Sequence, residues 1–176
     1  MITILLSVVT LPVCADDWAV YVDNDKDFGF RVEYPKTWQR QDTSLANMRL
    51  YVEAPDAEAS CFFVAAPAPK SKGFEPGELV PVLLEDDAFE RVLRQSMPEA
   101  RVLSAEKTRF GNQDAVFAVF SNILEAATLR VPQKGVTTLT WRNGYAIGGT
   151  CMTSPDRFEA TVPLFKVVLA NFLFLQ

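Results

Sequence analysis

No histidine occurs anywhere in the chain, and that absence removes Ser-His-Asp and Cys-His nucleophile systems and imidazole-based zinc sites together. Cys61 and Cys151 are too far apart to form a CxxC redox pair. The phosphate-loop, dinucleotide and nucleophile-elbow patterns are missing, and Gly148-Gly149 alone is too weak to stand for one. Asp23-Asn24-Asp25-Lys26-Asp27 places three carboxylates at alternate positions, as a calcium loop does. An EF-hand loop needs glycine at its sixth position and glutamate at its twelfth, where this chain has Phe28 and Tyr34. The segment therefore reads as a solvated acidic turn. Glu85, Asp86 and Asp87 resemble general acid–base groups, yet acids also favour the start of an amphipathic helix. Asp114 and Glu125 would make a carboxylate pair only if the fold brought them together. Trp18, Trp38 and Trp141 are candidates for a binding surface, with core packing the stronger reading for Trp38 and Trp141. No catalytic, cofactor-binding or metal-ligating residue is assigned, and no enzyme activity is expected.

The elements that must position these groups belong to an ordinary globular composition: 49% hydrophobic and 22% charged over 176 residues, enough for one domain with a sizeable core. Net charge is −5. Lys70 and Lys72 are the one local basic cluster, so the footprint of a nucleic-acid binder is missing. Residues Ile2 to Leu11 form an uncharged, mostly apolar run, too short for a bilayer span of about twenty residues. Pro12 breaks it, Val13-Cys14-Ala15 offers small residues to a signal peptidase, and Asp16-Asp17 opens an acidic continuation. Residues 1–15 read as a secretory signal peptide and 16–176 as one mature domain. The alternative is a buried N-terminal strand. No Lys or Arg precedes the run, so the initiator amine supplies the positive charge or the true start lies upstream. Lipidation at Cys14 is the weaker option, because Val13 is a poor residue before a lipoprotein cysteine. No later segment is apolar and long enough to span a membrane. Export would leave the pair Cys61 and Cys151, which suggests a disulfide, with two buried free thiols as the alternative.

Hydrophobic periodicity predicts strands at Trp18–Val22, Phe28–Tyr34, Arg49–Glu53 and Cys61–Ala66. Phe28, Phe30, Val32 and Tyr34 share one face, and Pro35 ends that strand. A helix is predicted over Leu79–Met97, with Leu84, Ala88, Val92, Phe89, Leu93 and Met97 on a broad apolar side. Asp87–Arg91 and Glu90–Arg94 are acid-before-base pairs on its other side. Strands follow at Val102–Phe110, Asp114–Phe120, Leu129–Val131, Val136–Trp141 and Tyr145–Met152. Arg142-Asn143-Gly144 is the clearest hairpin signal, and Gly148-Gly149 marks a bulge or a close backbone approach. Ser154-Pro155 predicts the start of a last helix carrying Phe158, Val162, Phe165 and Leu169, which Pro163 should kink. Phe172–Leu175 closes the chain as a strand. Together these elements predict an α+β fold with a largely antiparallel sheet.

Gly29-Phe30-Arg31-Val32-Glu33-Tyr34-Pro35-Lys36-Thr37-Trp38 resembles the opening GFxxxYPxxW block of PsbP-like (MOG/PsbP fold) domains. The closing part, from Tyr145–Cys151 through Phe158 and Pro163 to Asn171-Phe172, is similar to the family's final strand–helix–strand. The resemblance runs from Trp18 to the C-terminus. It implies an α-β-α sandwich around a central, largely antiparallel sheet flanked by helices. It also implies mostly non-enzymatic roles: a photosystem subunit, a Ran-binding factor, effector adaptors, and exported bacterial proteins and lipoproteins of the DcrB type, the last being the nearest in kind. No family binding residue maps onto this chain. The expectation is a periplasmic or secreted, non-enzymatic binding or assembly module of the cell envelope, acting on an unknown envelope or secreted protein and needing no cofactor. Small-ligand or lipid binding is the alternative, with Phe62, Phe63, Phe117 and Phe120 either lining a cavity or filling the core.

Overall fold

The computed structural model describes residues 17–126 and 129–176; the expected leader 1–15 and Cys14 lie outside the described residues. The order is β1 (Trp18–Asp23), β2 (Phe30–Pro35), β3 (Gln39–Arg40), β4 (Met48–Glu53), β5 (Ala59–Pro67), α1 (Pro76–Leu83) and α2 (Ala88–Leu93). Then come β6 (Arg101–Phe110), β7 (Gln113–Ala126), β8 (Leu129–Arg142), β9 (Tyr145–Thr153), α3 (Phe158–Ala170) and β10 (Leu173–Phe174). The fold is α+β, and the paired strands are antiparallel.

The strands divide between two sheets. A seven-stranded sheet runs β3-β4-β5-β9-β8-β7-β6, and β1, β2 and β10 form a separate three-stranded sheet. The reason lies in β2, whose alternation is one-sided. Phe30, Val32 and Tyr34 are buried, while Arg31 and Glu33 pair with each other on the outer face. Inserting β2 into a sheet covered on both sides would bury those two charges, a costly change. Instead β2 lays its apolar face on the larger sheet. Pro35 ends it, the Trp38 amide donates to the Pro35 carbonyl at 2.9 Å, and the Trp38 ring is buried in the main core.

Three other expectations need adjusting. The helix predicted over Leu79–Met97 is two short helices, because Asp86 takes a left-handed conformation at φ 45° between them. Pro81 also removes one amide from α1. The short strand at Leu129 and the one at Val136 are a single β8 running through Pro132. Pro132 pairs with Ile123, but β9 begins pairing only at Lys134, so the proline sits where one edge of β8 is unpaired. At the last helix, Ser154 does not cap. Its carbonyl accepts the Arg157 amide in a turn, Arg157 holds the N-cap position, and α3 continues through Pro163.

The hairpins form as read. Gly111 and Asn112 both have positive φ between β6 and β7, as do Asn143 and Gly144 between β8 and β9. Gly148 and Gly149 mark no bulge, since the β9 register is unbroken on both sides. A Cβ at Gly149 would stand 2.7 Å from Leu169 Cδ2 and 2.8 Å from Phe63 Cε1. The glycine lets α3 settle onto the sheet.

Each face of the large sheet has its own cover. Phe63, Ile147, Cys151 and Val136 share a cluster with Phe165, Val168 and Leu169 of α3 and with the inner face of β2. Alternate residues of β7, namely Val116, Ala118 and Phe120, meet Val80 of α1, Phe89 and Leu93 of α2, and Met97 and Ala100 just beyond it. Cys61 and Cys151 lie directly opposite in the β5–β9 register and are bonded, closing a loop with a separation of 90 residues. Phe172 stacks 4.0 Å from Phe110 and 4.8 Å from Phe30, and lies 5.9 Å from Phe63.

Phe172→Ala is expected to cost about 3–5 kcal/mol of stability, read from urea unfolding, and Phe174→Ala less, because Phe174 is only half-buried. The double change Cys61→Ala/Cys151→Ala should lower stability by about 4 kcal/mol, the chain-entropy value for a loop of this size; an unchanged unfolding midpoint would show the bond contributes nothing.

Candidate functional site

The sequence-flagged groups do not assemble into a catalytic centre. Arg49 lies between Asp23 and Asp25 at 3.4 Å each, and its guanidinium is 4.6 Å above the Phe28 ring. Asp23 Oδ1 accepts the Asp25 amide at 3.0 Å, and Asp25 Oδ1 accepts the Asp27 amide at 2.9 Å. The acidic turn thus spends the carboxylates of Asp23 and Asp25 on its own loop and on Arg49, and no group of three or more metal-ligating side chains stands together among the described residues. Glu85, Asp86 and Asp87 are exposed in the link between α1 and α2, with Asp87 paired to Arg91. Asp114 bonds Lys107 at 2.7 Å, and that hydrogen bond holds its carboxyl below the usual range. Glu125 faces Arg130 at 3.6 Å. The two lie on the same strand about 35 Å apart at ordinary strand rise, so they do not meet. Trp141 packs against the Val80–Phe89 cluster, and Trp18 rests half-buried on the main core.

The main concavity is an open groove of about 860 Å³ on the same face of the large sheet that α1 and α2 cover further along. Its floor comes from strand alternation. Cys61 and Phe63 point to α3, which aims Phe62 the other way; Tyr51 pairs with Phe62, and Met152 pairs with Ser60. Between the floor and the α1–α2 cover, Thr137 and Thr150 share a buried hydroxyl–hydroxyl bond of 2.8 Å. One wall is the loop around Asp42 and Leu45. The other is the arm where β7 and β8 run past both neighbouring strands, presenting Leu124 and Val131 as a cross-strand pair. Leu45 is 62% exposed and Leu124 48%, so the groove is a surface trough and not an enclosed chamber.

Its charge is one-sided. Asp42, Glu53, Glu58 and Asp156 line it against one cation, Arg157, which is itself paired with Asp56 at 3.3 Å and with Glu58. Glu53 accepts from Gln41 Nε2 at 3.2 Å and from the Tyr51 hydroxyl at 3.4 Å. Burial, followed by the Glu53 charge, raises the Tyr51 phenol above its ordinary range. A hydrogen bond from the Ser154 hydroxyl, then one from its own backbone amide, holds Asp156 below the ordinary carboxylate range. A smaller cleft of about 230 Å³ lies on the other face, where Glu106, Arg109, Phe117 and Lys166 border α3.

Of the aromatics flagged in the sequence, Phe63 and Phe120 fill the core, while Phe62 lines the groove and Phe117 the smaller cleft. Sequence reading did not locate the groove. Its signal was present: Cys61-Phe62-Phe63-Val64 is apolar toward both faces, as a strand covered on both sides is, yet among the described residues no helix lies over Phe62.

No family model matches the chain, and no curated protein does. Solved structures do. Cyanobacterial PsbP (CyanoP) from Synechocystis sp. PCC 6803 superposes at a TM-score of 0.61 with 15% identity, covering 94% of this chain and 99% of that one. LpqN, involved in cell envelope biogenesis of Mycobacterium tuberculosis, superposes at 0.60 with 8% identity, covering 90% and 92%. The Saccharomyces cerevisiae Ran-binding protein Mog1p superposes at 0.52 with 7% identity, covering 81% and 88%. The chain has the PsbP-like fold, and at these identities the likeness speaks of fold alone.

Asp156 folded with a lowered pKa contributes stability that is present above its unfolded value of about 4 and lost as pH falls through the folded value. Ser154→Ala should therefore raise the Asp156 titration midpoint toward about 4, followed by carboxyl NMR, and shift that acid loss to higher pH. A midpoint that stays put would remove the hydroxyl as the cause.

Proposed function

We propose that this chain is an exported, non-enzymatic binding or assembly module of the cell envelope that acts through protein–protein contacts made in the groove. The observation that carries the reading is the uncovered half of a sheet face, where Phe62, Tyr51 and Met152 floor an open trough. A buried disulfide fits an oxidising compartment, in keeping with residues 1–15 as a signal peptide and 16–176 as the exported domain. No helix among the described residues is long and apolar enough to cross a membrane. Two proteins of the same fold point the same way by their descriptions, LpqN through envelope biogenesis and Mog1p through Ran binding. In this reading the large sheet is the centre of an α-β-α sandwich, with α1 and α2 on one face, α3 on the other, and the cover incomplete over β4, β5 and β9. The groove volume also lies within the range of small-molecule sites, which keeps a ligand- or lipid-binding protein as the second reading.

A photo-crosslinking residue placed at Phe62 or Met152 in native cells is expected to yield one discrete protein adduct, while the same residue at exposed Gln95 yields none. Absence of any adduct from the groove positions, together with a small molecule retained in native mass spectrometry, would replace the contact reading with the ligand reading.

A further inference from the structure

We infer that the groove's occupant is a cationic amphipathic helix of a partner protein. This rests on the reading of the groove as a protein-contact site and names what it contacts. The argument starts from the unequal cover of one sheet face. Over β7, the side chains of Val116, Ala118 and Phe120 are sealed by α1 and α2 and the residues just after α2. On the same face Tyr51, Phe62 and Met152 stay partly exposed. A helix laid beside α1 and α2 would complete the layer that the described residues leave half built.

Strand addition does not suit this floor. β5 is hydrogen-bonded to β4 and β9 along the residues that line it, and β9 to β5 and β8, so those floor strands have no main-chain groups left for an added strand, and the edge of β8 that β9 leaves unpaired at the wall carries Pro132, a residue that blunts edge pairing. Recognition must come from side chains entering between Phe62, Met152 and the walls, which is how an amphipathic helix binds a groove. The rim then selects charge. Asp42, Glu53 and Asp156 form no ion pair among the described residues, and Arg157 is already held by Asp56 and Glu58. A helix with Lys or Arg beside its apolar stripe meets three uncompensated carboxylates, whereas an acidic one meets repulsion.

The probe is a fluorescein-labelled peptide about sixteen residues long, with leucines at i, i+3, i+4 and i+7 spacing and lysines between them. A second peptide carries glutamate at every lysine position. Anisotropy titration of the full chain is expected to give at least tenfold tighter binding of the lysine peptide, weakening as salt rises. Asp42→Lys/Glu53→Lys, two changes at the groove rim, should abolish that preference. Phe62→Ala should weaken the lysine peptide roughly tenfold, with circular dichroism checking that each variant is folded. Equal affinity for the two peptides, or a preference that survives the charge reversal, overturns the inference. If groove crosslinks in cells capture a segment that is neutral, acidic or extended, the inference fails while the contact reading stands. If neither crosslinks nor peptides engage the groove, both fall.

Discussion

Phe172 lies where both sheets, the end of α3 and the β6–β7 turn converge. Its ring stacks on Phe110 and Phe30, faces Phe63, and meets Phe174 edge-on at 5.0 Å. Without that ring the three-stranded sheet would rest on the larger one through much less buried area. The turn beneath it has no room for a side chain, since a Cβ at Gly111 would fall 2.5 Å from Phe174 and 2.9 Å from Phe172. The positive φ at Gly111 makes the same demand independently. Two backbone links secure the arrangement: the Leu175 amide donates to the Gly29 carbonyl at 2.8 Å, and Arg142 donates to the Leu175 carbonyl at 2.9 Å.

The candidate site follows from how this core divides the large sheet. One face is closed by α3 and the small sheet, which bring Phe165, Val168 and Leu169 of α3 and Phe30, Val32 and Tyr34 of β2 into the main core. Among the described residues the other face has only α1 and α2, and the left-handed Asp86 breaks what would otherwise be one long helix into two short ones. Their cover centres on Val116, Ala118 and Phe120 and extends to Leu139, Trp141 and Met152. The trough over β4, β5 and β9 is the remainder. Its acidic rim comes from Asp42, Glu58 and Asp156 in connections and from Glu53 at the end of β4; none of the four is a core residue, so fold and charge pattern are set by different residues.

Much of the fold is legible in particular residues. Phe30, Val32 and Tyr34 alternate along β2 and are buried, while Phe28, read as the strand's first residue, is buried in the turn before it; Pro35 stops the strand, and Trp38 plugs the core. Asn143-Gly144 gives its hairpin because positive φ is local chemistry. Less legible were the breaks. Helical periodicity continues from Leu79 to Met97 across a left-handed aspartate, because periodicity reports which side chains are apolar and not where the backbone turns. The Ser154-Pro155 cap signal was outcompeted when Arg157 engaged Asp56 and Glu58, partners about a hundred residues away in sequence.

Local patterning and composition thus determined the elements, the α+β class and the absence of histidine chemistry. These depend on residue type and near-neighbour spacing, which a linear reading contains. The tertiary structure alone decided that β2 belongs to a second sheet, that Cys61 faces Cys151, that Asp114 and Glu125 stay apart, and that Phe62 meets no helix among the described residues. Each of those depends on the register and packing of segments distant in sequence, and such distances arise only when buried area is shared out among all the elements at once.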